Sequence, residues 1–323
     1  MAAAFFYLAL SQVDLSLVFS YLKQATLLPL LLAGLASALV IGANTLLFKL
    51  LLPDTAKISL GRLFEVVAVF SMAVNLLPFG GGQALLVYLL GHRERAGKTA
   101  TLSILTLEQI ADGFSKIILF LIVALLAPLP TWLKGGMQGL ILVVVGLYIF
   151  LFIIAFLHPK YAKRLNHEGS GWWNQLKKFF ANWAGHLHAL RSFRKTLGMI
   201  LLAVLMKFLQ VISVYFVQMS LGVDLGFFNA VFVVVAISLA TTLPLTPGRL
   251  GLVEAAALLT YQYLGLSADK AMALGLLIHA AQLLPYVVVG YLSSLKLGLR
   301  RGELGARMTP HPSAGHACGP GGT

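Results

Sequence analysis

The sequence predicts an all-α polytopic integral membrane protein, a helical bundle with two re-entrant or broken-helix hairpins in inverted-repeat halves. Three observations lead to this fold class. The composition is strongly apolar, several apolar runs are long enough to cross a bilayer, and two further apolar segments are each interrupted by a cluster of proline and glycine. The two interruptions occupy corresponding positions in the two halves of the chain, which is typical of inverted-repeat membrane folds.

The composition excludes an ordinary soluble domain. Of 323 residues, 59% are hydrophobic and 11% are charged, whereas a soluble domain carries about 25% charged residues. The 24 Lys and Arg against 11 Asp and Glu give a net charge of +13. Loops that face the anionic cytoplasmic leaflet explain this excess better than nucleic-acid binding does. The single cysteine, Cys318, excludes an internal disulfide.

Five apolar runs are predicted to cross the membrane as helices, because a span needs about 20 residues. They are Leu27 to Phe48, Ala100 to Ala127, Met137 to Leu157, Leu197 to Leu221 and Ala271 to Leu295.

The two interrupted segments run from Asn75 to Gln83, around Gly80-Gly81-Gly82, and from Leu243 to Glu254, around Pro247-Gly248. Proline removes a backbone donor and glycine permits unusual backbone angles, so neither run can continue as a plain helix. The arm that follows each break is too short to span. We therefore predict re-entrant hairpins, with two short packed spans in each place as the alternative. Irregular backbone at membrane depth must be satisfied by protein or by a water-filled cavity.

The distribution of positive charge predicts the orientation of the chain. With re-entrant hairpins, 18 of the 24 Lys and Arg fall on one side and three on the other. The positive-inside rule places the richer side in the cytoplasm. The first hairpin then enters from the cytoplasm and the second from outside, and the C-terminus is cytoplasmic.

We predict one transmembrane domain over residues 1–307. Its only large polar connection is the cytoplasmic loop 158–196, where basic residues alternate with aromatic ones such as Trp172 and Trp173. This pattern favours a helix in the headgroup layer, with a solvated connector as the alternative. The tail 308–323, rich in glycine and proline, is predicted to be disordered.

Ionisable residues in apolar surroundings are the candidates for a functional site. Glu108, Asp112 and Lys116 follow at intervals of four and share one helix face. Charges inside a membrane usually face the bundle interior, pair, or mark a substrate path. A self-contained pair of Asp112 and Lys116 is the structural alternative.

The second break carries Arg249, and Glu254 lies on the arm that follows it. Arg249 and the positive end of that helix are suited to an anionic phosphate. Alternatively, Arg249 simply pairs with Glu254 or caps a neighbouring helix. Further polar residues in the spans would line the same cavity or hold helices together; they are Lys207, Gln210, Gln218, His279 and Gln282. No metal site or cofactor is predicted.

The chain resembles the transmembrane region of lysylphosphatidylglycerol synthases, within a wider group of flippase-like membrane proteins that includes members associated with hopanoid biosynthesis. The resemblance covers roughly residues 12 to 297. It rests on three motifs, which are Asn75-x-x-Pro78 with Gly81-Gly82, Glu108-x-x-x-Asp112-Gly113, and Pro244-x-x-Pro247-Gly248-x-x-Gly251-x-x-Glu254-Ala255.

The resemblance implies a polytopic protein of the bacterial inner membrane that moves, or helps to move, a polar-headed lipid. The substrate-binding residues expected from the motifs and the breaks are Asn75, Pro78, Gly81, Gly82, Gln83, Glu108, Asp112, Pro247, Gly248, Arg249, Gly251 and Glu254. Expected partners are a membrane lipid substrate, anionic lipid headgroups and lipid-biosynthesis enzymes, without nucleic acid. No catalytic residue is expected.

The chain departs from the family pattern in three places. Gln83, Leu86 and Val87 stand where members commonly carry an acidic and then a basic residue. The first apolar run, Ala2 to Leu10, is shorter than a span. After Leu295 only 28 residues remain, so lysyl transfer is not expected. The alternative function is a membrane-embedded enzyme that uses Glu254 or Asp112 as acid or base, or an accessory subunit of a lipid or glycolipid biosynthetic pathway.

Overall fold

The computed structural model describes residues 13–53, 56–77, 80–126, 131–162, 192–242 and 246–298. These residues form α-helices joined by short connections, with no strand among them. The helices are α1 (Leu15–Gln24), α2 (Leu27–Leu51), α3 (Leu60–Leu76), α4 (Gly81–Leu86), α5 (Lys98–Leu126), α6 (Thr131–Ala162), α7 (Phe193–Ser220), α8 (Gly226–Ala240), α9 (Leu252–Tyr263) and α10 (Ala268–Lys296). A π-helix, Val87–Arg93, continues α4, and a 3-10 turn, Pro247–Arg249, precedes α9.

The predicted all-α membrane fold and its five spans are confirmed. Helices α2, α5, α7 and α10 and residues Leu133–Phe150 of α6 are long and apolar enough to cross a membrane. Serine side chains fix the beginnings of two of them. Ser192 accepts a hydrogen bond from the Lys195 amide at the start of α7, and Ser267 does the same for Lys270 at the start of α10.

Large apolar side chains cover the outer surface of these long helices. Leu28 is 69% exposed on α2, Leu125 is 83% exposed on α5 and Leu142 is 76% exposed on α6. A soluble protein would bury such residues, whereas lipid chains solvate them without cost. The exposed surface therefore fits a lipid environment.

The first interrupted segment folds back on itself. Helix α3 has 17 residues, and α4 with its π-helical continuation has 13. At about 1.5 Å per residue, neither arm covers the ~30 Å hydrocarbon layer. Gly80 turns the chain with φ 79. Arg62 Nε donates to Glu94 Oε1 at 2.8 Å, which brings the outer ends of the two arms together.

The second interrupted segment has the same form. Helices α8 and α9 have 15 and 12 residues, and both are shorter than the hydrocarbon layer. Gly248 and Gly251 turn the backbone between them with φ 66 and φ 82. The ring of Phe232 in α8 contacts the ring of Tyr263 at the end of α9, with centroids 5.7 Å apart. The two arms therefore run antiparallel.

The two broken pairs open toward opposite ends of the long helices. Lys49 near the end of α2 donates to the Ile58 carbonyl, and Arg93 donates to the Leu297 carbonyl, so the first pair opens where α2 and α10 end. The second pair joins the end of α7 to the start of α10 through short connections. The Thr26 amide donates to the Ser220 carbonyl at 2.8 Å, so α2 and α7 are antiparallel.

Each half thus consists of a long helix, a broken pair and another long helix. The second half runs in the opposite direction to the first. This arrangement is the predicted inverted-repeat order. That each pair returns to the membrane face from which it came stays a prediction. Pro78, most of the loop 158–196 and the tail 308–323 lie outside the described residues, so the interfacial helix and the disordered tail also stay predictions.

The tips of the two broken pairs meet inside the protein. A methyl group added to Gly248 would lie 3.2 Å from the Asn75 carbonyl oxygen. Inside the first pair, a methyl group at Gly82 would lie 2.5 Å from the Val74 backbone nitrogen. These glycines let the backbone segments approach closely, because any larger residue would separate them.

Cysteine labelling tests whether each broken pair returns to the membrane face from which it came. After Cys318→Ser, single cysteines at Lys57 and Lys98 should both react with a membrane-impermeant maleimide from the cytoplasmic side. Cysteines at Asp224 and Ser267 should both react from the opposite side. Labelling from different sides within either pair would show that the pair crosses the membrane once and does not return.

Gly82→Ala should weaken the first broken pair. The added methyl group has no room beside Val74, and overpacking costs about 1–3 kcal/mol. The thermal unfolding temperature of the purified protein should therefore fall. Gly61→Ala in α3 is the matched control, because nothing lies within 4 Å of its added methyl group. Equal unfolding temperatures for the two variants would contradict the close packing of Gly82.

Candidate functional site

A polar cavity of about 240 Å³ lies where the two broken pairs meet. Long helices α2, α5, α7 and α10 contribute to its wall, together with α3, α8 and the residues of both breaks. Five acidic or basic side chains line it, namely Glu108, Asp112, Lys116, Lys207 and Arg249. Such a concentration of charge among membrane helices makes this cavity the candidate functional site.

Asp112 bridges the two lysines of the cavity. Its Oδ2 lies 2.8 Å from Lys116 Nζ, one turn further along α5, and its Oδ1 lies 2.8 Å from Lys207 Nζ on α7. The side chain of Asp112 is 30% exposed, against 11% for Lys116 and 8% for Lys207. Asp112 is therefore the most exposed side chain of this cluster.

Each lysine also donates to an uncharged oxygen. Lys207 Nζ donates to Gln210 Oε1 at 3.3 Å on the same helix. Lys116 Nζ donates to Thr242 Oγ1 at 3.2 Å, and the Thr242 hydroxyl donates to the Ser238 carbonyl. These contacts connect α5 with α7 and with the end of α8, so the position of each ammonium group does not depend on Asp112 alone.

Glu108 lines the cavity and contacts no lysine among the residues that the structure describes. Its Oε2 accepts a hydrogen bond from Gln109 Nε2 at 3.0 Å. With Lys116, Lys207 and Arg249 charged, the wall carries three positive groups against two carboxylates. The cavity therefore has one positive charge in excess when all five groups are ionised.

Arg249 supplies that excess charge. Within the described part of the chain, its guanidinium takes part in no ion pair and no hydrogen bond. Two buried oxygens of the cavity wall, Thr246 Oγ1 and Asn44 Oδ1, also have no partner among the described residues. Buried polar atoms are nearly always paired, so these groups indicate a place for a polar ligand.

Glu254 lies outside the cavity wall and is 1% exposed. Its Oε2 accepts a hydrogen bond from the Gly251 amide at 2.8 Å, which caps the start of α9. Its Oε1 lies 2.6 Å from His279 Nδ1 on α10. The structure therefore pairs Glu254 with His279 rather than with Arg249. Glu254 caps α9 and joins it to α10, and the direct headgroup contact expected from the sequence stays a prediction.

The structure brings some of the expected residues together and separates others. Asn75, Gln83, Glu108, Asp112 and Arg249 line the cavity. Pro247 begins the 3-10 turn, whereas Gly81, Gly82, Gly248 and Gly251 shape the backbone at the two breaks. Pro78 is outside the described residues.

Of the additional polar residues, Lys207, Gln210 and Gln282 line the cavity. Gln218 instead donates to the Tyr261 hydroxyl at 3.1 Å in a buried contact. Asn44 and Thr246 were not expected in the site. A single polar residue in an apolar run was the only available signal for Asn44, and that signal also fits a contact between helices.

The helices, the lipid-compatible surface and the central cavity between two broken pairs define a multi-pass helical membrane protein. The chain belongs to the family of the lysylphosphatidylglycerol synthase TM region, which it matches over residues 1–290. The resemblance seen in the motifs is thereby confirmed.

One curated relative is a "UPF0104 membrane protein" of the archaeon Methanothermobacter thermautotrophicus. It is 25% identical to this chain over an alignment of 228 residues, which covers 64% of this chain and 66% of the relative. The match therefore spans just under two thirds of the length of that protein. No solved structure matches the chain.

Glu254→Ala should destabilise the protein. The change leaves the Gly251 amide and His279 without their buried partner, and each lost partner costs about 1–3 kcal/mol. A lower thermal unfolding temperature and a lower yield of folded protein should result. Leu259→Ala on the same helix is the control, because that side chain is 56% exposed. A Glu254→Ala variant as stable as the control would show that the buried contacts of Glu254 contribute nothing.

Proposed function

We propose that this protein moves, or helps to move, a polar-headed lipid across the bacterial inner membrane. The headgroup would occupy the cavity between the two broken pairs, while the acyl or isoprenoid chains stay in the lipid. The single observation that carries the proposal is the unpaired Arg249 guanidinium, at the tip of one broken pair, in the wall of a polar cavity.

The position of the cavity supports translocation rather than binding at one surface. One broken pair reaches it from the end where α2 and α10 finish, and the other reaches it from the end where α10 begins. Inverted halves around a central site are suited to alternating access, because each half can open toward its own side. The proposed topology, with a cytoplasmic C-terminus, belongs to the same proposal.

Translocation without lipid chemistry is the function that the side chains favour. Of the two residues suggested as acid or base, Glu254 is buried with both carboxylate oxygens occupied, and Asp112 is held by two lysines. In the arrangement that the structure describes, neither carboxylate is free to transfer a proton to a substrate. We therefore propose that the protein is not an enzyme, and that enzymes of lipid biosynthesis are its partners.

Lipid movement in liposomes tests the proposal. The purified full chain is reconstituted with a trace of fluorescent anionic phospholipid, and dithionite quenching reports the fraction of label that reaches the outer leaflet. Faster redistribution than in protein-free liposomes, with unchanged lipid by mass spectrometry, supports translocation. A chemically altered lipid would favour the enzyme alternative. No redistribution and no product would contradict both activities for the isolated chain.

Arg249→Gln should reduce this lipid movement by a factor of about 10 or more, since a charge-assisted contact in a buried site contributes about 1.5–3 kcal/mol. The yield of folded protein should remain near normal, because Arg249 holds no ion pair among the described residues. Lys134→Gln is the control, as it removes a positive charge from an exposed position on α6. Wild-type transport by Arg249→Gln would exclude Arg249 from the headgroup site.

A further inference from the structure

The carboxylate of Asp112 lies where an anion in the cavity would contact the two lysines. Its two oxygens each contact one ammonium group, at 2.8 Å in both cases. Two oxygens of a phosphate group can make the same two contacts, because both anions are held by charge-assisted hydrogen bonds of similar length. Asp112 is also the most exposed of the three side chains.

The two lysines retain partners when the carboxylate moves away. Lys207 keeps its contact with Gln210 Oε1, and Lys116 keeps its contact with Thr242 Oγ1. Both of these oxygens are uncharged, so they orient the ammonium groups without neutralising them. A second anion can therefore replace Asp112 at a site that is already shaped.

We propose that Asp112 is an internal counter-anion, which a phosphate group entering the cavity displaces from Lys116 and Lys207. That the ligand is a lipid headgroup rests on the proposed function. That the ligand carries a phosphate group rests on the geometry of the two lysines. The displaced carboxylate turns toward the interior of the cavity. No bond is made or broken in this exchange, and one ion pair replaces another.

Two further groups point to the same ligand. Thr246 is 7% exposed, its hydroxyl has no partner among the described residues, and it lines the cavity. Arg249 lines the same cavity and forms no ion pair in the described part of the chain. A phosphate group has enough oxygens to contact the lysines and also accept from a hydroxyl or a guanidinium. The unpaired groups are thus explained by the ligand that replaces Asp112.

An internal counter-anion stabilises the two lysines when no ligand occupies the cavity. Without an anion, two buried ammonium groups would repel each other, and nothing would compensate for the hydration that they lose on burial. Asp112 stabilises them between binding events, and it also competes with the ligand. A headgroup therefore binds more weakly than three positive groups would otherwise allow, and its release is faster.

Binding measurements on the purified full chain in nanodiscs of uncharged lipid test this exchange. Isothermal titration with inorganic phosphate, and separately with dihexanoyl phosphatidic acid, gives the Kd of each probe. Asp112→Asn keeps the shape of the side chain but removes the competing charge. We expect its Kd for at least one probe to be lower by a factor of about 10 or more, since one lost competing ion pair corresponds to about 1.4 kcal/mol or more.

Two variants test whether Asp112→Asn acts by removing a competitor for the two lysines or merely by removing a nearby negative charge. Glu108→Gln removes a carboxylate from the same helix face and the same cavity, but Glu108 contacts Gln109 rather than a lysine. It should lower the Kd by a clearly smaller factor than Asp112→Asn. Glu65→Gln removes a carboxylate that pairs with Arg62 outside the cavity and should leave the Kd unchanged. Equal effects of Asp112→Asn and Glu108→Gln, or a higher Kd for Asp112→Asn, would overturn the proposal.

A lysine variant keeps the proposal testable if Asp112→Asn does not fold. Lys116→Gln removes one of the two groups that the phosphate would take, so the Kd should rise about 10-fold. An unchanged Kd would overturn the proposal.

The same titrations distinguish it from the proposed function. A shift seen with inorganic phosphate alone supports displacement but not a lipid ligand. Absence of lipid movement in liposomes leaves the binding result unaffected.

Discussion

The fold depends on the contact between the tips of the two broken pairs. Each pair exposes backbone groups that no helix satisfies, and lipid cannot hydrogen-bond to them. The structure places both tips inside the protein, with Gly248 against the Asn75 carbonyl. The long helices then surround these tips, so the irregular backbone contacts protein and a polar cavity. The composition of the cavity wall follows from this requirement as much as from any ligand.

Two carboxylates hold this centre together in different ways. Glu254 lies behind the second break, where it caps α9 and pairs with His279, and it is almost completely buried. Asp112 lies at the cavity surface between Lys116 and Lys207. The first carboxylate fixes the backbone, whereas the second balances charge in a space that is accessible to other molecules. Both carboxylates lie in apolar stretches of the sequence, so the sequence alone does not distinguish their roles.

The sequence predicted the fold better than the contacts of the site. The five spans follow from the length of the apolar runs, and the two breaks follow from their glycines and prolines. The shared face of Glu108, Asp112 and Lys116 follows from helix periodicity, and all three residues line the cavity. These features depend on local sequence, which is why they can be read without a structure.

The partners of Glu254 and Lys207 could not be predicted in the same way. His279 lies 25 residues from Glu254, and Lys207 lies on a different long helix from Asp112, so each pairing depends on how helices pack. Spacing along the chain suggested Arg249 for Glu254 and only Lys116 for Asp112. Thr246 gave no signal at all, because a lone threonine near a break is common. Packing decides such contacts, and it leaves no periodic pattern in the sequence.

The backbone conformation of Arg249 is unfavourable for an arginine. Its φ of 57 lies in the left-handed region, where a residue other than glycine costs about 1–2 kcal/mol. For folding alone, glycine would be the better residue at this position. The chain keeps arginine there, although the described residues offer its side chain no ion pair in return. Residues held in strained backbone conformations of this kind cluster at binding sites, where the strain fixes the direction of the side chain.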